Sequence, residues 1–395
     1  MNPHPRAEAR PNPRHAAILG AVLLAVGVIV LWHLAGLVTQ GGGRFAQGDW
    51  LINFASGVVR RGAGGEALLW LSDTTGLGPL ALVGAIQAGL IMLTLSAIFR
   101  AALVSGLPDR LLLLLVSPLF VAFWAIDPDG AFRKELLGYI AFLPLLARGP
   151  TAAGPLIAGL TVPLFLVAVT AHEGNVFLMP ALIVALWLRL REQVSRRLLT
   201  AITVALVAVT LGGLLFAVAY PFVPDNAAMC AALTARGVSP DICGGAIDWM
   251  GITPQETRHR LQSLAAGRDR MAGLLTFVVL LLPVGLAYRH APNPGRTAAV
   301  GALLFAGFMP LYLLAADWGR WMSMFVFSMT FITLILARNP QCGWLHRPVR
   351  PMVFVPILLM SGFLGVAHDS GAPIRGLLPT LAENVLAKGL GGHTP

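Results

Sequence analysis

Long apolar stretches without charged side chains are the feature that most restricts how this chain can fold. The stretches Ala16–Val38 and Leu198–Phe222 contain no Asp, Glu, Lys or Arg. A helix needs about 20 such residues to cross the roughly 30 Å hydrocarbon core of a bilayer. Only 12% of residues are charged, against about 25% in soluble domains. The sequence therefore predicts an all-α, polytopic integral membrane bundle and excludes soluble, disordered, collagen-like and disulfide-scaffold classes.

Eleven stretches are candidate transmembrane helices of one domain, residues 16–367. They are Ala16–Val38, Leu80–Phe99, Leu111–Ile126, Leu136–Ala147, Leu156–Ala171, Val176–Leu188, Leu198–Phe222, Met271–Tyr288, Thr297–Ala316, Trp321–Ala337 and Met352–Ala367. The first has no small-residue cleavage site, so we interpret it as a retained span rather than a signal peptide. Residues 1–15 are then a disordered cytoplasmic N-terminus, 39–79 (with interfacial helices) and 221–270 are periplasmic loops, and 368–395 are a periplasmic tail.

The charges of alternate loops predict the orientation. With the N-terminus in the cytoplasm and the C-terminus in the periplasm, the cytoplasmic side holds 15 of the 28 basic residues but only 3 of the 18 acidic ones. Loops near helix ends follow this positive-inside bias. The net charge of +10 thus reports orientation, and it argues against a nucleic-acid partner.

The cysteines fit the same orientation. Cys230 and Cys243 share the periplasmic loop 221–270, whereas Cys342 falls in a cytoplasmic loop. An oxidising periplasm permits a disulfide, and the cytoplasm keeps thiols reduced. Cys230 and Cys243 are therefore a candidate disulfide, with the unpaired form as the alternative.

The outer side carries four compact polar clusters, the first of which follows the first span. Asp49 and Asn53 precede Arg60 and Arg61 there, and apolar residues within 50–58 recur at helical spacing. This spacing predicts a helix in the membrane interface. Asp49 would cap that helix at its N-terminus or serve as a base, and the two arginines would anchor lipid headgroups or bind phosphate.

The second cluster separates spans three and four and contains Asp127, Asp129, Arg133, Lys134 and Glu135. At 1.5 Å per residue, these two spans reach only about 24 and 18 Å, short of the core thickness. Either the helices extend into the cluster or the cluster is recessed. Ionisable groups at membrane depth are candidates for function, and the alternative is a salt-bridged turn.

The third and fourth clusters are shorter. His172 and Glu173 form the tip between spans five and six, and Asp317 and Arg320 form the tip between spans nine and ten. The first pair would otherwise be merely solvated, and the second would be an interfacial ion pair flanked by tryptophans. Four polar tips on one side predict a single cavity that opens to the periplasm.

These residue types suit sugar transfer from a lipid phosphate. Arginine and lysine bind phosphate, and a carboxylate can accept the proton of an attacking hydroxyl. The predicted phosphate-binding residues are Arg60, Arg61, Arg133, Lys134 and Arg320; the predicted catalytic residues are Asp49, Asp127, Asp129 and Glu135; and the supporting residues are Asn53, His172, Glu173 and Asp317. Asp127 and Asp129 would bind a divalent cation, Mg²⁺ or Mn²⁺, or cap a turn.

The order of these features resembles the C-type (GT-C) membrane glycosyltransferases over the first four spans. The shared features are a cytoplasmic N-terminus, a long first outer loop with an early Asp49, and a second acidic outer loop with Asp127 and Asp129. The resemblance implies transfer from a polyprenyl-phosphate carrier at the periplasmic face of a bacterial inner membrane, with Asp49 as the base. The chain departs from the family in the tightness of the second loop and in lacking a soluble C-terminal domain.

Other strings look like bacterial O-antigen or exopolysaccharide polymerases. The strings are Asn53 with Arg60-Arg61-Gly62, and Asp317 with Gly319-Arg320-Trp321. The basic residues of the loop 221–270 fit that version, with a short amphipathic helix at Gln255–Leu264; they are Arg236, Arg258, His259, Arg260, Arg268 and Arg270. A solvated lid is the alternative for this loop.

The main rival class is a transporter or flippase of a lipid-linked or small anionic substrate. Transporters place substrate-binding groups near the bilayer midplane and have internal repeats. The only ionisable residue inside a span is His33, near the outer end of span one, and no repeat is evident. The sequence thus favours a membrane enzyme whose partners are a lipid-linked saccharide, an acceptor glycan or lipid, and membrane lipids.

Overall fold

The computed structural model describes residues 11–147, 153–253, 255–257, 259, 267–314 and 317–389. The α-helices are α1 (Pro13–Thr39), α2 (Gly62–Thr75), α3 (Pro79–Val104), α4 (Asp109–Leu115), α5 (Ala122–Ile126), α6 (Pro128–Ala131), α7 (Glu135–Ile140), α8 (Leu143–Leu146), α9 (Gly154–Ala171), α10 (Met179–Leu190), α11 (Arg196–Ala219), α12 (Ala227–Thr234), α13 (Gly267–Leu280), α14 (Leu282–Tyr288), α15 (Pro294–Leu314), α16 (Trp318–Ala337), α17 (Pro351–Phe363) and α18 (Leu377–Gly389). Short 3-10 helices cover Asp49–Leu51, Glu173–Leu178, Pro240–Cys243, Asp248–Gly251 and Pro340–His346.

The fold is nearly all-helical, and seven helical segments among the described residues are long and apolar enough to cross a membrane. They are Pro13–Thr39, Pro79–Val104, Gly154–Ala171, Glu173–Leu190, Arg196–Ala219, Met271–Tyr288 and Trp318–Ala337. Each overlaps one of the eleven predicted spans. The helix α1 begins at Pro13, inside the segment 1–15 that we expected to be disordered.

Two predicted spans are broken helices inside the protein. The segment Leu111–Ile126 divides into α4 and α5, and Leu136–Ala147 divides into α7 and α8. The residues 116–121 between α4 and α5 are all buried. Irregular backbone is tolerated at membrane depth only where protein covers it. The segment 111–126 is buried throughout and therefore belongs to an inner layer rather than to a lipid-facing span, whereas α7 and α8 are partly exposed and are each too short to cross the bilayer core.

The helix α16 is the centre of the bundle. It is 94% buried over its most apolar window and packs against α4, α10 and α15. Its Phe327 stacks on Tyr139 of α7, with ring centroids 4.1 Å apart, and on Trp124 of α5 at 5.3 Å. Arg320 lies in the first turn of α16. The most buried helix thus presents an arginine at one end of the bundle.

The predicted interfacial helix over residues 50–58 is wrong. The chain forms only a 3-10 turn at Asp49–Leu51, and the helix α2 begins at Gly62. Trp50 and Leu51 are buried. A Cβ on Gly65 would lie 1.9 Å from the carbonyl oxygen of Ile52. The irregular segment that contains Ile52 therefore packs directly on α2 at Gly65. Trp50 and Leu51 are therefore covered by protein, and the 3-10 turn that contains them packs against α2.

The outer loop and the C-terminal segment complete this end of the bundle. Cys230 and Cys243 form a disulfide, as the sequence suggested. The predicted helix Gln255–Leu264 lies largely outside the described residues, as do Arg258 and Arg260. The predicted span Met352–Ala367 ends as a helix at Phe363. It continues into an antiparallel pair, β1 (Leu364–Val366) and β2 (Pro373–Arg375), in which Leu364 lies opposite Arg375, so the fold is not purely helical.

Candidate functional site

The four polar tips meet in one group of ionisable side chains, which we call the charge cluster. Its members are Asp49, Arg60, Arg61, Arg133, Lys134, Glu135, His172, Glu173, Asp317 and Arg320. Six of them are buried and the other four are partly buried. Burying ionised groups is costly unless they are paired, so the contacts within the cluster determine what it can do.

Arg61 joins the first tip to the third. Its Nε donates to both carboxylate oxygens of Glu173 at 2.9 Å, and its Nη2 donates to Oε1 at 2.6 Å. Its Nη1 lies 3.4 Å from Oδ1 of Asp49. The φ angle of Arg61 is +67°, in the left-handed region that non-glycine residues rarely adopt. Such conformations persist where the surroundings enforce them, and here they turn the guanidinium toward two carboxylates.

Arg60 also binds Glu173. Its Nη1 donates to Oε1 of Glu173 at 2.5 Å, and its Nε donates to the carbonyl of Pro221 at 3.0 Å. Glu173 therefore receives two guanidinium groups. Both arginines lie directly before α2, and Arg61 is the N-cap residue of that helix, so a ligand that displaces Glu173 would find two cations already positioned.

Lys134 is fully buried and donates to the carbonyl oxygen of Arg61 at 3.0 Å. Burial lowers the pKa of Lys134 to about 8, and the opposing charge of Asp49 only partly compensates. Lys134 is followed by the helix α7, and its own carbonyl accepts from Nδ2 of Asn175 at 3.2 Å. The lysine is thus held from both sides as a buried cation near neutral pH.

Asp49 is a buried anion among cations. Burial alone would raise its pKa, but the charges of Lys134, Arg61 and Arg133 outweigh that effect and hold the pKa well below its usual range. A general base works best with a pKa near the operating pH. Asp49 is therefore better suited to fixing Arg61 and Lys134 than to accepting a proton.

His172 is neutral and directed at Glu135. Burial lowers the pKa of His172 to about 4. Its Nδ1 accepts from the backbone N–H of Gly174 at 2.7 Å, so the ring proton is on Nε2. That Nε2 lies 3.6 Å from Oε1 of Glu135, and neither oxygen of Glu135 has a hydrogen-bond partner among the described protein atoms.

Arg320 and Arg133 complete the cluster on the side of α16. Nη2 of Arg320 is 2.7 Å from Asp317 and its Nε is 3.4 Å from Glu135, while its Nη1 has no hydrogen-bond partner in the described structure. Arg133 lies over the ring of Phe45, and its Nε is likewise without a hydrogen bond. Arg133, Glu135 and Arg320 line a cavity of about 10 Å³, which is room for a single water.

Asp127 and Asp129 do not join the cluster. Both oxygens of Asp127 lie within 3.0 Å of Nδ1 of His368, and Oδ2 also accepts from the His368 backbone at 2.7 Å. Burial raises the pKa of Asp127, but His368 lowers it by more; conversely, Asp127 raises the pKa of His368 against the effect of burial. Asp129 is exposed. The predicted catalytic role of this acidic pair therefore has no geometric support, because one member is bound to histidine and the other points to solvent.

The structure gives no metal-binding arrangement to these acids. Within the described ranges, no group of three or more His, Cys, Asp or Glu side chains is placed to hold an ion. The side chain of Asn53 bonds to backbone groups: its Nδ2 donates to the carbonyl of Leu51 at 3.1 Å, and its Oδ1 accepts from the N–H of Ala55 at 3.0 Å. Asn53 thus shapes the first loop and does not reach the cluster.

Sequence reasoning missed two polar residues that position the site, Gln87 and Asn175, and a third, His368, that binds Asp127 outside the cluster. Gln87 of α3 donates to the carbonyls of Phe132 and Ala46 at 2.7 and 2.8 Å, which ties the first and second tips together. Asn175 and His368 make the contacts described above. Gln87 could have been recognised in the sequence because it is the one side-chain amide within the span Leu80–Phe99. Nothing in the sequence pointed to His368, since its partner is 241 residues away.

An apolar groove leads from the membrane face to the cluster. It lies between α9 and α11, has a volume of about 580 Å³, and ends at Arg60, Arg61 and Glu173. Its rim includes the exposed side chains of Leu166 and Phe216. Gly212 opens onto the groove, because a Cβ there would meet nothing within 4 Å. The groove thus joins lipid to two arginines.

No protein family, curated protein or solved structure gives a match to this chain.

Proposed function

We propose that this protein is a membrane glycosyltransferase that takes a sugar or oligosaccharide from a polyprenyl-phosphate or pyrophosphate carrier, for single-sugar transfer or repeat-unit polymerisation. One observation carries the proposal: the apolar groove of about 580 Å³ ends at Arg60 and Arg61. A ligand with a long apolar chain and an anionic head matches both ends of this path. Arginine binds phosphate through paired donors, and Glu173 holds the two guanidinium groups in place until such a ligand arrives.

The reaction assigns separate tasks to the cations and the carboxylates. The acceptor hydroxyl oxygen forms a bond to the anomeric carbon while the bond from that carbon to the phosphate oxygen breaks, and the lipid phosphate leaves with the electron pair. Arg60, Arg61 and Lys134 stabilise the leaving anion. The hydroxyl proton goes to Glu135, whose two oxygens have no hydrogen-bond partner within the described part of the chain. Asp49 holds the cations rather than serving as the base.

The placement in the cell is also a proposal. The positive-inside charge distribution supports eleven spans with a cytoplasmic N-terminus and a periplasmic C-terminus. The disulfide between Cys230 and Cys243 supports an oxidising compartment on the side of the cluster. Together with the resemblance to GT-C enzymes and polysaccharide polymerases, these features favour the periplasmic face of a bacterial inner membrane.

The test is an assay of purified protein with a polyprenyl-pyrophosphate-linked oligosaccharide, in which released lipid phosphate and product mass are measured. Glu135→Gln should lower turnover by at least about 10²-fold, the usual contribution of a positioned base, while leaving lipid binding unchanged. The matched control is Glu192→Gln, an exposed acid at the other end of the bundle.

Each other outcome has a definite meaning. Full turnover by Glu135→Gln with strong loss in Asp49→Asn would return the role of base to Asp49. If no lipid-linked saccharide is consumed but one crosses the bilayer of reconstituted vesicles, the protein is a flippase and the glycosyltransferase proposal is wrong.

A further inference from the structure

A second groove lies at the end of the bundle opposite the charge cluster. It has a volume of about 510 Å³ and is lined by α3, α7, α8 and α9 with Arg338 just beyond α16. Since α16 has 20 residues, it is roughly 30 Å long, which is the thickness of a bilayer core. With Arg320 in its first turn and Arg338 following its last residue, the two grooves lie in opposite leaflets.

The second groove combines an apolar floor with cations at its end. Leu93, Ala97 and Leu143 are among the apolar lining residues, and Arg100 and Arg338 line the same groove. Nη1 of Arg338 donates to the carbonyl of Leu146 at 2.6 Å, so this arginine is fixed at the groove. Arg100 is exposed. The lining thus offers a surface for acyl chains beside one exposed positive charge and one that is held by a hydrogen bond.

A third arginine adds to this positive end. Nη2 of Arg189 donates to the carbonyl of Ala147 at 3.3 Å, and Ala147 is itself a lining residue. Among the residues that the structure describes, no carboxylate lines the groove. Basic pockets between transmembrane helices are typical binding sites for anionic lipid headgroups.

We propose that this groove is a binding site for an anionic phospholipid, with an acyl chain along α3 and α8 and the phosphate between Arg100 and Arg338. The site is separate from the charge cluster and does not depend on the proposed glycosyl transfer. The lipid stabilises the broken helices α7 and α8 from the membrane side, where their short length leaves the groove open.

The experiment uses the full chain in nanodiscs of phosphatidylcholine with or without phosphatidylglycerol, and native mass spectrometry counts the bound phosphatidylglycerol. Wild-type protein should retain one molecule. Arg100→Gln should bind it about fivefold more weakly, the contribution of one arginine near an anionic headgroup, and Ala97→Trp should abolish binding by filling the groove.

The matched control is Arg197→Gln, an exposed arginine at the same end of the bundle that does not line the groove. It should bind phosphatidylglycerol like wild type. Equal weakening by Arg197→Gln would mean diffuse attraction to the membrane surface, and unchanged binding by both groove variants would place the lipid elsewhere. Either result overturns the proposal. Thermal unfolding of each variant in phosphatidylcholine alone checks that folding is intact.

Discussion

Replacing Arg61 tests whether the charge cluster is an energetically coupled unit. Arg61 makes three contacts of 2.6 to 2.9 Å with Glu173 and one of 3.4 Å with Asp49. In Arg61→Gln, Glu173 keeps Arg60, but Asp49 is fully buried and loses its only ion pair within 4 Å in the described structure. Removing one partner of a buried pair costs about 3–5 kcal/mol. We expect a loss of that size in the free energy of unfolding.

The measurement is equilibrium unfolding in mixed detergent micelles, followed by circular dichroism, for Arg61→Gln, Glu173→Gln and the double variant. Because the two residues contact each other, the double variant should lose less than the sum of the single variants, by about 0.5–3 kcal/mol. The control is Arg236→Gln, which breaks an exposed pair with Asp73 and should cost much less because solvent screens it. Additive losses, or an Arg61→Gln loss no larger than that of the control, would refute the coupling.

Three further predictions concern the groove, the histidine contact and the disulfide. Gly212→Leu should fill the groove between α9 and α11, so a free polyprenyl phosphate should inhibit the transfer assay less strongly while folding stays unchanged. Gly213→Leu should instead impair folding, because a Cβ there would lie 2.2 Å from a neighbouring side chain. Equal behaviour of the two variants would contradict a lipid-binding role for this groove. The raised pKa of His368 means that its contact stabilises fully below about pH 6.5 and is lost as the pH rises through the raised value, so the melting-temperature difference between wild type and His368→Asn should shrink in alkaline buffer. Cys230→Ser opens a loop with a sequence separation of 13 and should cost about 3 kcal/mol of local stability, visible as faster proteolysis of that loop; an unchanged rate would mean that packing alone holds it.

The grouping of the polar residues into one site could be predicted from the sequence because charged residues are rare in this chain. An ionisable residue in a membrane protein has few places where it is stable, so the one-sided positions of Arg61, Glu173, Lys134 and Arg320 carried spatial information. The same reasoning failed for Asp127. Its partner His368 comes from the C-terminal segment, which we expected to be a tail, and no local pattern connects two residues that far apart.

The inner layer of the fold could not be predicted from the sequence in the same way. Hydropathy measures whether a segment avoids water, but lipid and a protein interior satisfy that condition equally. Leu111–Ile126 therefore scores as a span although the backbone at 116–121 is irregular and buried. The prediction of an interfacial helix in the first loop was wrong for a related reason. Helical spacing of apolar residues at 50–58 also fits an irregular segment that protein covers on several sides. The close approach of Ile52 to Gly65 depends on tertiary contact, which the local sequence does not show.

The buried atoms without hydrogen bonds distinguish a ligand-binding role of the cluster from a purely structural one. A purely structural network of buried charges gains most when every donor and acceptor is satisfied, since each buried polar atom without a hydrogen bond costs about 1–3 kcal/mol. Here the two oxygens of Glu135 and nitrogens of Arg133 and Arg320 are unsatisfied and belong to residues that line one cavity, while Oδ2 of Asp49 and Nε2 of His172 are unsatisfied outside it. A ligand that completes this set must accept hydrogen bonds from guanidinium groups and donate one to a carboxylate. A hydroxyl-bearing, anionic molecule does both, which is the chemistry of the sugar-phosphate substrate that we propose.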